Sequence, residues 1–222
     1  MYQGYLSVRT EATPLSIEIA DRLRSKIVHN ELAPGARIQE RQFSDELKVS
    51  RTPLRDAIKI LAREGLVEVT PNYGARVVDF SLDDVEEMLL VYSELDGLAG
   101  RLACERATGD DLARIQGFLH EIERAIEARD RRAYFSANQA FHLAIVRSAH
   151  SPTLLDAYQV LSLRLYRTRY LAIANSDAWM SAALENAPLL DCLRRRDADE
   201  MERRIKHHSA LAWQFIKTSV IV

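Results

Sequence analysis

Val49-Ser50-Arg51-Thr52-Pro53-Leu54-Arg55 is the stretch on which the fold turns. Ser50 is a good N-cap, and Pro53 falls in the first turn of a helix, where its missing N–H costs nothing. Leu54, Ala57, Ile58, Leu61 and Ala62 then make one apolar face. Arg51, Arg55, Lys59 and Arg63 repeat every fourth residue, so they start as one stripe on the opposite face. The helix ends near Glu64-Gly65.

Working outward, a short helix over Glu40–Leu47 precedes this one, and Pro34-Gly35 marks a turn before it. Thr13-Pro14 reads as an N-cap and first helical position. Ile19, Leu23 and Ile27 repeat at i+4 behind it, to about His29. On the other side, Val67-Glu68-Val69 and Arg76-Val77-Val78 flank Pro71-Asn72-Tyr73-Gly74, which reads as a β-hairpin. Three helices and a hairpin predict a winged helix over 13–79, after a flexible tail at 1–12.

Residues 1–79 carry twelve basic and eleven acidic side chains, so the stripe stands out against a nearly neutral domain. A helix in a major groove reads base edges with side chains near its N-terminus, and flanking cations hold phosphates. The alternative is a solvated basic face on a structural helix. The preceding helix, the turn and the wing favour DNA.

Past Phe80-Ser81 the pattern is almost wholly helical. Helices are expected over 82–107, 110–128, 131–150, 152–174, 177–195 and 198–218, joined by short connections that favour antiparallel neighbours. The predicted class is therefore mainly α, a winged helix-turn-helix followed by an antiparallel helical bundle over 80–222. The 222 residues are 47% hydrophobic and 28% charged with net charge −2, as in ordinary soluble proteins. Cys104 and Cys192 show no zinc or disulfide spacing, which fits a reducing cytoplasm. No signal peptide and no membrane span are read.

In the helical half, Asn138 and His142 lie one turn apart on an apolar stretch, so they face one way. Asn186 and His208 sit on later helices, and His207 points about 100° away from His208. Each taken singly reads as a satisfied core or surface polar group.

The motifs Pro34-Gly35, Glu40-Arg41, Leu47 to Ala57, Leu61 to Val67 and Pro71 to Val77, in that order, resemble the GntR family of bacterial regulators. The resemblance implies DNA contacts from Arg41, Ser50, Arg51, Thr52, Arg55 and the wing residue Gly74. Tyr73 departs from the basic or small polar residue often beside that glycine. The helical half resembles the FCD domain of the FadR-type members. That implies a homodimer on double-stranded operator DNA, regulated by a small-molecule effector such as an organic acid or other carboxylate. It also implies a divalent metal, zinc or nickel, on an Asp and three His. The matching positions hold Asn138, His142, Asn186 and His208, so Asn186 removes one imidazole and the remaining candidate ligands are His142, His208 and Asn138. Arg164, Arg167 and Arg169 are candidate counter-charges for a carboxylate, or equally a solvated face or dimer contact. Taken together, a repressor released from a palindromic operator by a metabolite is expected. The alternatives are a ligand-independent DNA-binding dimer and a metal-dependent enzyme. The enzyme reading lacks Glu-x-x-His, His-Glu-x-x-His, a phosphate loop and a nucleophile elbow.

Overall fold

The computed structural model describes residues 14–174, 179 and 183–220. The expected tail and the Thr13 cap lie outside them. The chain divides into two compact units, residues 1–83 with 162–167, and residues 84–161 with 168–222.

The first unit contains α1 (Pro14–Val28), β1 (Arg37–Ile38), α2 (Glu40–Leu47), α3 (Arg51–Arg63), β2 (Val67–Thr70) and β3 (Gly74–Val77). The strands form an antiparallel sheet in the order β1-β3-β2. The hairpin expected from sequence is therefore a three-stranded wing. β1 pairs Arg37 with Arg76 and Ile38 with Ala75. Two residues are too few to show a period of two, so β1 leaves no pattern in the sequence. The apolar faces converge as their spacing dictates: Ile19, Leu23 and Ile27 of α1 meet Phe43, Leu54, Ile58, Leu61, Val67 and Val77 in one core. Gly65, at φ +73°, ends α3 in the left-handed region that suits glycine.

One polar pair is sealed into this core. Arg24 of α1 donates to both carboxylate oxygens of Glu64, at 2.9 and 2.6 Å, and also bonds Asp21. The pair ties α1 to the end of α3.

The second unit is helical: α4 (Leu82–Arg106), α5 (Gly109–Glu127), α6 (Arg131–Ser148), α7 (Pro152–Ala174), α8 (Asn186–Arg195) and α9 (Ala198–Val220). Residues Ser162–Arg167 of α7 belong to the first unit. Ile115, Ile122, Tyr134, Phe141, Ile145, Leu193, Met201 and Ile205 are in its core. Gly100 lets α4 approach α9 closely, since a Cβ there would stand 2.5 Å from Ile205 Cδ1. Helix α5 starts one residue before its expected start, because Thr108 and Asp111 form a reciprocal capping box.

The helix expected over 177–195 needs correction. Its start lies outside the described residues. Among those described, Leu184 and Glu185 form a turn and α8 begins at Asn186. Pro188 explains this: it lacks an N–H and its ring clashes with the carbonyl four residues back, so it fits only a first turn.

Candidate DNA interface and effector site

Helix α3 buries Leu54, Ala57, Ile58 and Leu61 and leaves Arg51, Thr52 and Arg55 exposed. Ser50 takes the extended N-cap conformation, but its side chain makes no capping hydrogen bond. An exposed hydroxyl and open backbone N–H groups at this helix start suit a phosphate oxygen. Arg55 donates to Glu40 of α2 at 2.9 Å. Both groups are solvent-accessible, so the pair contributes little stability and its guanidinium remains available to a stronger partner.

Arg41 is exposed on α2, and Lys48 closes that helix at φ +54°. Gly74 opens β3 at φ +86°, a conformation open to glycine and strained for other residues. Tyr73, at the wing tip, is 73% exposed. Arg37, on the strand that left no sequence pattern, has its guanidinium beside Gly74. Arg37, Arg41, Lys48, Arg51 and Arg63 have no ion-pair partner among the described residues, whereas Arg22, Lys26 and Lys59 are paired. The unpaired cations thus include the candidate contacts Arg41 and Arg51, and Arg37 beside the candidate wing residue.

In the second unit, Asn138 and His142 of α6 are both buried, as is Asn186 of α8. Asn186 Nδ2 donates to Asn138 Oδ1 at 2.9 Å. The His142 ring stands 5.1 Å from the His208 ring of α9, tilted by 30°. All four expected residues therefore join one cluster. Four further residues complete it. Asp96 of α4 places Oδ2 at 3.9 Å from His142 Nδ1. Tyr92 and Tyr158 share a 2.6 Å hydrogen bond. Arg169 of α7 donates to the Tyr92 hydroxyl at 2.8 Å and lies over its ring. Tyr92 and Asp96 lie one turn apart on α4, and Tyr158 and Arg169 are both on α7. Arg169 was a candidate counter-charge from sequence, but the contacts between these helices were not readable there.

Burial sets the charge states. It pushes the Asp96 carboxyl up to about 7, against the pull of Arg169. It holds the His208 imidazole down at about 4. His142 is held well below its ordinary value by burial, then by His208 and Arg169. Both rings are neutral at pH 7.

Neutral imidazoles are the form a metal needs, but the rest of the donor set does not fit one. Asn138, expected to offer its oxygen, directs that oxygen to Asn186. Asn186 supplies an amide where the resemblance implies a third imidazole. Among the described residues no group of three or more His, Cys, Asp or Glu is placed to hold a metal ion. The set His142, His208 and Asn138 is therefore incomplete as a ligand sphere for zinc or nickel.

Comparison with known proteins agrees with this division. Residues 15–77 match the family model described as bacterial regulatory proteins, gntR family, and residues 87–211 match the FCD domain. The chain is 31% identical to a probable D-xylose utilization operon transcriptional repressor of Paenarthrobacter nicotinovorans, over 92% of this chain and 89% of that one. It is 26% identical to the HTH-type transcriptional repressor RspR of Escherichia coli, over 88% and 86%. Its fold is similar to that of E. coli McbR/YncC, with a TM-score of 0.79 at 24% identity, covering 91% of this chain and 98% of that one.

Proposed function

The chain belongs to the GntR family of bacterial regulators, with an FCD domain as its second half, and from that premise we propose how this DNA-binding transcriptional regulator works. It is a cytoplasmic repressor that binds a palindromic operator as a homodimer and is released by a small polar metabolite. One observation carries the DNA reading: α3 presents Arg51, Thr52 and Arg55 on its first turns, beside a three-stranded wing, while its other face is buried. Arg51 and Arg55 read base edges, since a guanidinium can give two parallel hydrogen bonds to guanine. Arg41, Ser50 and Thr52 hold phosphates, and Gly74 lets the wing backbone come close to a groove.

A two-fold operator needs two copies of the chain. Support for the dimer comes from α4, where Leu90, Val91 and Leu98 are 64%, 50% and 45% exposed along one side of the helix. An aliphatic stripe of this kind is covered by a second copy. Leu90→Glu should then yield monomers in sedimentation and weaken operator binding.

The metabolite binds among Asp96, Asn138, His142, Asn186 and His208. A carboxylate would look to Arg169 for its counter-charge; the name of the Paenarthrobacter relative adds a neutral pentose as a candidate. Release requires the ligand to favour a dimer state with weaker DNA affinity. Linkage then makes the coupling reciprocal: the ligand lowers DNA affinity and DNA lowers ligand affinity by the same factor. Footprinting on the DNA upstream of the chain's own gene, with purified protein, should show two half-sites about one helical turn apart. A single unpaired footprint, or none, would remove the proposal.

A further inference from the structure

Among the buried polar atoms of the second unit that have no hydrogen-bond partner among the described residues are Asp96 Oδ1, His142 Nδ1, Asn186 Oδ1 and His208 Nδ1. They come from four helices, α4, α6, α8 and α9. Buried polar atoms are nearly always hydrogen-bonded, so a group of orphans in one cluster marks a place where something else binds. This inference rests on the reading of the cluster as the effector site and concerns the chemistry of its ligand.

The set mixes one fixed acceptor with groups that can accept or donate. An amide oxygen can only accept, so Asn186 Oδ1 demands a donor. The Asp96 carboxyl, pushed up to about 7, accepts when ionised and can donate when protonated, while each neutral imidazole nitrogen donates or accepts according to its tautomer. A ligand carboxylate offers acceptors alone. It would leave Asn186 Oδ1 unsatisfied and would bring a negative charge towards Asp96. Arg169 could compensate part of that charge, but it already gives one N–H to Tyr92 and stacks on its ring. A ligand ammonium would satisfy the acceptors, but it would add positive charge near Arg169, which already acts electrostatically on Asp96, His142 and His208. A hydroxyl both donates and accepts, carries no charge, and suits either tautomer of either ring.

We propose that the effector is a neutral polyhydroxylated molecule, a small sugar or polyol. Its hydroxyls bridge Asp96 Oδ1, Asn186 Oδ1 and the two histidines without a metal ion. The Asn138–Asn186 amide pair fixes the acceptor that the ligand meets: Asn138 takes one Nδ2 hydrogen and thereby aims Asn186 Oδ1.

The test uses the full-length protein, dialysed free of divalent metal. Thermal unfolding is followed with matched sets of four- to six-carbon aldoses, alditols and aldonates at millimolar concentration. A ligand that binds only the folded state raises Tm. The proposal expects at least one aldose or alditol to raise Tm, and its matching aldonate to do so at least tenfold more weakly. On the wild-type protein, the deoxy analogue lacking one bridging hydroxyl should also bind at least tenfold more weakly, which keeps the test independent of whether variants fold. Asn186→Leu should abolish the response. If aldonates raise Tm and neutral sugars do not, the ligand class is wrong while the effector site stands. If no member of any class raises Tm, the effector reading falls as well.

Discussion

Replacing Glu64 with alanine is predicted to unfold the DNA-binding unit selectively. Glu64 has a side-chain exposure of 2% and Arg24 of 6%, and they share two hydrogen bonds. Removing the carboxylate leaves a guanidinium buried in the core of α1 and α3. Stranding one member of a buried pair costs about 3–5 kcal/mol. Asp21 remains on Arg24 and is 38% exposed, so the cost should fall near the lower figure, about 3 kcal/mol. For a unit of this size that is a drop in Tm of roughly 12–24 °C. Hydrogen exchange read by mass spectrometry gives the local answer: peptides from α1 and α3 of Glu64→Ala should lose protection, while peptides from α5 and α6 should not. The paired replacement Arg24→Met with Glu64→Leu removes both charges and should recover most of the loss, because apolar side chains of similar volume can replace a buried ion pair. Protection in Glu64→Ala within 1 kcal/mol of wild type, or a double variant as damaged as the single one, refutes the reasoning.

Other predictions concern the second unit. Asp96 has a folded pKa of about 7, above its unfolded value, so its contribution is present at low pH and lost as pH rises through 7. His208 is the reverse: its folded pKa of about 4 makes its contribution present above the unfolded value near 6.5 and lost as pH falls through 4. Asp96→Asn removes only the first effect, so its stability relative to wild type should improve by a few kcal/mol between pH 4 and 7 in urea titrations. A difference that stays constant with pH contradicts this. The metal prediction is a gain: wild-type protein purified without chelator should hold no stoichiometric zinc, and Asn186→His should acquire it, as read by elemental analysis. Zinc in the wild type that disappears in His142→Ala would reverse the conclusion on the donor set.

The first unit was legible because its signals are local. The i+4 stripe from Arg51 to Arg63, the apolar face from Leu54 to Leu61, and Gly65 behind them specify one helix and its end without help from the rest of the chain. β1 was not legible, because its pairing with β3 is a tertiary fact and two residues carry no period. The Arg24–Glu64 pair was hidden for the same reason, since forty residues separate its members. In the second unit the helices were readable from their periodicity. The break before Asn186 also had a visible cause in Pro188, though the run of helix formers around it masked the effect. Asn138 and His142 share a face by spacing alone. Asp96, Tyr158 and Arg169 join them only because α4 and α7 pack beside α6, and no spacing within one helix encodes which neighbour it meets. The chemistry of the cluster was therefore half visible: the amides, the imidazoles and Arg169 could be named, but not the contacts that bring them to Asp96.

The central claim is that α3 reads DNA through its first turns. Its most direct test is operator affinity, by fluorescence anisotropy at several salt concentrations, for wild type, Arg51→Ala and Arg55→Ala. Both side chains are exposed, so both variants should keep the wild-type Tm. Each should lose specific binding by about 1–3 kcal/mol or more per guanine contact, leaving only weak, salt-dependent affinity that does not distinguish operator from random DNA. Operator affinity unchanged in both variants would contradict the account.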